Sequence, residues 1–460
     1  MIQKKVAEAA LAAALKTGGD FAEIFLQDER SSAMGMSFDR IEEAVTGRAH
    51  GAGIRVFKGL NSVYVYTNDT SLSGLLRAAE RAADAVGTGN ESRDVHLTGS
   101  YGRNIHAFKE LPMDVPGANK AELLRRASIA AKSVSPVIGQ VRASIADSDC
   151  EVLIANSEGL FTADRRVYTR IRIAAIASGN GENQTGTEAP GALMGYELFK
   201  THVDVEEYAI KAAQRAVTML NAEACPAGRM PVVIDNGFGG VIFHEACGHS
   251  LEAAAVAFGN SEFCGKLGTQ IASPIVTAID DGTMENEWGS TNIDDEGTPT
   301  TRLTLIENGI LKNYMIDRLN ARRMNMPVTG SGRRQDYTFA PTSRMRNTFI
   351  APGTDEHDEI IATCGDGLYA KSMGGGSVNP ITGEFNFAVS EGYLIRDGKI
   401  DRPVRGATLI GRGSEILKKI DRVGKDMRMA QGMCGASSGS VPTNVGQPMI
   451  RVTDITVGGR

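Results

Sequence analysis

Apolar and polar positions alternate with a period of two along much of the first half of the chain. The alternation predicts strands over residues 22–27, 33–38, 53–57 and 62–66, which would pair as an antiparallel sheet across intervening turn residues. Where apolar positions recur every three or four residues, helices are predicted instead. These are an amphipathic first helix ending at Lys16 and the Gly18-Gly19 pair, a helix capped by Ser71 and running through Leu75, Leu76, Ala79 and Ala83, and one over residues 120–131. The latter two would cover one face of the sheet. The strand pattern resumes at 141–145, 151–155, 160–162 and 167–177, with Asn156-Ser157-Glu158-Gly159 as a hairpin turn. A Gly-, Asn- and Thr-rich run over 180–191 predicts a loop, and Asp204 with Glu207 begins a further helix ending near Ala222.

At Ala224-Cys225-Pro226-Ala227-Gly228 a helix end meets Pro and Gly punctuation, which places a domain boundary there. Beyond it the pattern changes to a buried-type strand at 230–234, a turn at Asp235-Asn236-Gly237 and one long helix over 239–256. Hairpins follow around Glu307-Asn308-Gly309 and Asp397-Gly398. The expected fold class is α+β: an N-terminal antiparallel sheet with covering helices in residues 1–224, then a β-rich C-terminal domain in residues 225–460 with a central helix.

Composition narrows the class of function. With 460 residues, 42% hydrophobic and 23% charged, the chain can bury an ample core. A formal charge of −6 argues against a general nucleic-acid or membrane-surface binder. Arg165, Arg166, Arg170 and Arg172 read as a solvated strand face rather than a phosphate site. No apolar run approaches the roughly 18 residues that a membrane span needs. The N-terminus imitates a signal peptide only until Glu8 interrupts it. Six scattered cysteines without a secretory signal suggest free thiols, so a cytoplasmic location is expected.

The chemistry concentrates in His244-Glu245-Ala246-Cys247-Gly248-His249. In the common metallopeptidase signature the histidines are four apart, about 40° around a helix, and share one ion while the Glu acts on bound water. Here they are five apart, about 140° on a regular helix, so shared binding requires a distorted turn such as a π-bulge, which Gly248 makes easier. A hydrolytic zinc site needs three protein ligands and an open position. The other five histidines are in poor settings, so cysteine is the better third candidate. Cys434 stands out, in the flexible-looking loop Gly432-Met433-Cys434-Gly435-Ala436-Ser437-Ser438-Gly439, while Cys247, inside the motif, is its rival and more consistent with packing. Glu245 is the group placed to take a proton from metal-bound water and deliver it to a leaving amine.

From Asp235 onward the sequence resembles the TldD/PmbA family of metallopeptidases, on its catalytic (TldD) side. The likeness rests on the histidine motif, on Asp317-Arg318-Leu319-Asn320-Ala321-Arg322-Arg323, on Gly330-Ser331-Gly332-Arg333-Arg334-Gln335 with residues 341–347, and on Gly432-Met433-Cys434-Gly435 followed by Val445-Gly446-Gln447-Pro448. The resemblance implies a zinc-dependent peptidase with His244, His249 and Cys434 as ligands and Glu245 catalytic. It also implies a dimer, with a PmbA (TldE)-like sister subunit or with itself, that encloses a chamber and acts on unfolded or modified peptides and small proteins. Such a peptidase should grip substrate backbone as an added strand, for which Gly375, Gly376 and Tyr393 are candidate edge residues. Arg333, Arg334 or Tyr337 are candidate oxyanion donors by residue type and placement. The alternative, from a different class, is a non-catalytic metal-binding subunit of a related hetero-oligomer, whose metal would be closed by four protein groups.

Overall fold

Side chains that alternate in burial give the first half its sheet. In a computed structural model that describes residues 2–91, 93–99, 102, 104–179, 181–379 and 381–459, the expected short strands are merged into long ones: β1 (Phe21–Ser37), β2 (Arg40–Lys58) and β3 (Asn61–Thr67), then β4 (Ile138–Asn156), β5 (Phe161–Gly179) and β6 (Glu182–Glu188). They lie in the order β3-β2-β1-β4-β5-β6, all antiparallel. The helices α1 (Lys4–Leu15), α2 (Leu72–Val86), α3 (Gly117–Ser133) and α4 (Val205–Leu220) pack on the sheet and bury Ala- and Leu-rich stripes. Two caps occur as expected: the Ser71 side chain accepts from Gly74 N–H, and the Asp204 side chain from Glu207 N–H. The run read as a loop contains β6, because Asn183 to Thr187 extend the sheet edge beside β5 and its polar side chains can face outward; Asn180 lies outside the described residues.

The second half is β-rich as expected, with two large sheets built mainly from β7 (Gly228–Ile234), β8 (Ala278–Asp281), β9 (Arg302–Glu307), β10 (Asn347–Ile350), β11 (Gly367–Val378), β12 (Glu384–Arg396), β13 (Lys399–Arg405), β14 (Thr408–Arg412), β15 (Arg428–Ala436), β16 (Gly439–Gln447) and β17 (Ile450–Gly458). One sheet runs from β9 through β8 and β10 to β16 and β15, with β10 and β16 parallel. In the other, β11, β7, β17, β14 and β12 close into a ring, because β11 pairs with both β7 and β12. One large apolar cluster fills the space between them. The histidine motif sits in that space, against β10 on one side and β11 and β12 on the other.

The two halves are joined by buried charges. Arg334 donates to Glu23 Oε1 of β1 at 2.7 Å, Arg166 of β5 to Asp295 Oδ1 at 2.6 Å, and Arg55 of β2 to Glu296. The arginine-rich face of β5 is therefore not a solvated one throughout. Arg165 pairs with Asp149, but Arg166 and Arg170 turn toward the second half, where carboxylates and carbonyls replace water.

Candidate metal centre

The expected long helix over 239–256 is a series of short turns: a 3-10 turn (Gly237–Gly240), an α turn (Val241–Phe243), a π turn (His244–Gly248) and a 3-10 turn (His249–Leu251). The π turn is where the spacing required it. His249 N–H donates to the His244 carbonyl, five residues back, so the extra residue is absorbed in one wider turn and both rings leave on the same side. The ring centroids are 5.1 Å apart. Gly248 has an ordinary helical backbone, φ −57° and ψ −51°, so flexibility is not its contribution. A Cβ there would stand 2.2 Å from the sulfur of Met345, so glycine is required by close packing. At Glu252 the chain turns extended, φ −75° and ψ 131°, because the flanking Leu251 carbonyl and Ala253 N–H pair with the backbone of Met315.

Cys434 comes from β15, a strand and not the loop its Gly- and Ser-rich surroundings suggested. Gly432 to Gly435 pair with residues 440–443 of β16, and only Ser437 and Ser438 form the turn. Pairing with a strand that is itself held by β10 compensates for the weak strand propensity of the glycines. The free edge of β15 is covered: Arg170 donates to the Gln431 carbonyl at 3.0 Å, and the Trp288 indole N–H to the Gly432 carbonyl at 2.8 Å.

These elements bring three side chains together. Cys434 Sγ lies 3.3 Å from His244 Nε2 and 3.4 Å from His249 Nε2, and the three ligand atoms all fall within 4.8 Å of one another. Two donors on one tetrahedral zinc stand about 3.5 Å apart when the bonds have ordinary Zn–N and Zn–S lengths, so the set fits that ion without rearrangement. Burial raises the Cys434 thiol, but the adjoining His244 and His249 rings outweigh it and bring its pKa down to about 3, which favours the thiolate. Burial also works against a charge on His249, while Glu252 and Cys434 hold its pKa well above the usual value. Cys247, the rival, is buried elsewhere and its thiol is pushed up by that burial and by Glu262. Among the described residues no fourth His, Cys, Asp or Glu joins the group.

Glu245 stands at the edge of the trio. Its Oε2 is 3.6 Å from His249 Nε2, and its side chain is 25% exposed. Two groups that the sequence reasoning missed complete the surroundings. Glu252 Oε2 accepts from His249 Nδ1 at 3.1 Å, and the buried Arg344 donates to the Cys434 carbonyl. The spacing of Glu252, one helical turn beyond His249, was the available signal.

The other candidates are placed elsewhere. Arg334 spends its guanidinium on Glu23, the Asp295 carbonyl and Tyr64, and Tyr337 packs on Tyr66 and over Gly51 of β2. Both are interface posts, because the N-terminal sheet supplies partners that the sequence could not reveal. Arg333 donates to the Met345 carbonyl at 2.7 Å. Tyr393 lies inside the ring, paired with Tyr369 and Pro403 on its two sides, so it cannot offer an edge. Gly376 packs against Phe387 of the neighbouring strand, whereas Gly375 faces open space.

Two imidazoles and a thiolate converging on one point, with a partly exposed carboxylate beside them, is the layout of a metal-dependent hydrolase. The sequence matches three successive domains of one family: PmbA/TldA metallopeptidase domain 1 over residues 22–86, the central domain over 110–220 and the C-terminal domain over 227–459. The chain belongs to this PmbA/TldD family and is a metallopeptidase. It is 37% identical to the metalloprotease TldD homolog of Haemophilus influenzae over 96% of this chain and 93% of that protein. A metalloprotease of Methanothermobacter thermautotrophicus is 34% identical over 96% of each. Among solved structures, a Thermotoga maritima protein described as a putative modulator of a DNA gyrase superposes with TM-score 0.79 at 21% identity, covering 95% of this chain and 96% of that one. TldE from Thermococcus kodakarensis does so with TM-score 0.77 at 19% identity, covering 96% and 97%. Both share the fold.

Proposed function

We propose that this metallopeptidase works with zinc held by His244 Nε2, His249 Nε2 and Cys434 Sγ, and that Glu245 is its general acid and base. The observation that carries this reading is the convergence of two nitrogens and one sulfur at zinc-ligand spacing on a π turn, with Glu245 next to them. Zinc, when bound, would supply a Lewis acid that polarises the scissile carbonyl and acidifies water. Glu245 Oε2 takes the proton of the attacking water and hands it to the departing amine nitrogen, and its partial exposure leaves that water a route in. A group of three leaves one coordination position for the reaction, whereas a structural zinc is normally closed by four protein groups. Glu245→Ala should keep its zinc and lose peptide cleavage by at least about 100-fold. Substantial residual turnover would remove Glu245 from this role.

The substrate class follows the family resemblance: unfolded or modified peptides and small proteins, bound through their backbone. The open face at Gly375 is where an added strand would find room. Residues 1–224 serve as dimerisation and chamber wall and residues 225–460 as the catalytic domain, in a dimer with a TldE-like sister subunit or a second copy. The shared fold with TldE supports a related partner. Digestion of a peptide mixture by the chain alone and by the chain with a co-purified sister subunit separates the two. All six cysteines are free of disulfides, which fits a reducing, cytoplasmic setting, and among the described residues no helix is long and apolar enough to cross a membrane.

A further inference from the structure

Two buried groups outside the trio are attached to both of its distant parts. Glu252 Oε2 accepts from His249 Nδ1 at 3.1 Å, which fixes the ring with Nε2 toward Cys434. Its other oxygen, Oε1, accepts from Met345 N–H at 3.3 Å and lies 4.0 Å from Arg344 Nε. Arg344 is fully buried, and Glu252 is its carboxylate partner. The same guanidinium donates to the Cys434 carbonyl, to Ser438 Oγ at 3.1 Å and to the Gly439 carbonyl at 2.9 Å, thereby holding the tip of the β15–β16 hairpin. Arg344 Nε is a buried donor with no hydrogen-bond acceptor among the described residues, and it faces Glu252. By contrast, His244 Nδ1 is buried without any such partner, so the support is particular to His249.

We infer that Glu252 and Arg344 form a clamp that sets His249 and Cys434, 185 positions apart in sequence, at the separation a metal requires. The inference rests on the proposed ligand set. Both are positioning residues: Glu252 acts through the His249 ring, as carboxylates behind metal-bound imidazoles do, and Arg344 acts through the Cys434 backbone and through Glu252. One ion pair, Arg344 Nε to Glu252 Oε1 at 4.0 Å, joins the two supports, so loss of either member loosens the other.

The test is metal affinity, measured by chelator competition with zinc, and the absorption of the cobalt-substituted full chain, whose thiolate charge-transfer band reports Cys434 and whose ligand-field bands report geometry. Glu252→Ala and Arg344→Met should each weaken zinc binding by about 10–100-fold, and the double variant by less than the product of the two single effects. Both should keep the thiolate band and shift the ligand-field bands, and Glu252→Gln, which can still accept from Nδ1, should recover part of the affinity. If either variant fails to fold, Glu252→Met, which keeps the volume but loses the acceptor, and Arg344→Gln, which loses the cation, decide by the same two readouts. Zinc affinity within about twofold of the parent and an unchanged cobalt spectrum in those variants would overturn the clamp. Failure of the underlying reading looks different: Cys434→Ser would then retain both the affinity and the charge-transfer band.

Discussion

At the scale of single residues, the types needed at the centre were legible because few side chains do the chemistry. Two histidines and an intervening glutamate are uncommon in one short run, and of six thiols only Cys434 combined distance from an apolar segment with a Gly-rich setting. The supporting groups were hidden. Glu252 acts only because the chain turns extended directly after Leu251, and Arg344 because the Cys434 carbonyl, 90 residues later, comes within its reach. The fully buried Asp280 gives a further residue-scale prediction. Burial raises its carboxyl, and although Arg346 N–H and the Thr348 hydroxyl lower it, its pKa remains at about 6 against an ordinary 3.8. A carboxyl raised on folding contributes stability that is fully present below its unfolded pKa and lost as pH rises through the folded one. Urea unfolding of the parent should therefore show stability falling between about pH 4 and 7 relative to Asp280→Asn, whose profile lacks this contribution. Parallel profiles over that window would contradict it.

At the scale of elements, histidine spacing alone required a distorted turn such as a π-bulge, and a π turn spans His244–Gly248. The role of glycine in it was not legible. Gly248 adopts a conformation open to any residue, and its missing side chain is what lets Met345 reach the turn. Gly240 is similar, since a Cβ there would stand 2.5 Å from the Gly446 carbonyl of β16. These contacts seat the histidines against the sheet that carries Cys434. Gly248→Ala must displace the Met345 side chain and should lower stability by about 1–3 kcal/mol, with weaker metal binding, in thermal unfolding and chelator competition. Gly248→Ala combined with Met345→Ala, which opens the space, should recover much of the loss in metal binding. The strand character of residues 432–435 escaped the sequence because it depends on a partner strand and not on local propensity.

At the scale of the whole molecule, the class of fold was legible from periodicity, since alternation in the first half and hairpin turns in the second recur as sheets. What joins the halves was not, because ion pairs between distant segments leave no local pattern. Arg55 is buried between Glu23 and Glu296, with Arg334 on the other side of Glu23. Arg55→Leu leaves the buried Glu296 without its cation and Glu23 with Arg334 alone, and should cost about 3–5 kcal/mol in urea unfolding, far more than loss of an exposed pair such as Arg77–Asp69. That joint also reaches the centre, because β5 braces β15 through Arg170. The zinc content of the purified chain, measured beside its Cys434→Ser variant, tests the ligand set most directly. One equivalent is expected in the parent and a small fraction of one in the variant; a full equivalent in Cys434→Ser would contradict Cys434 as a ligand.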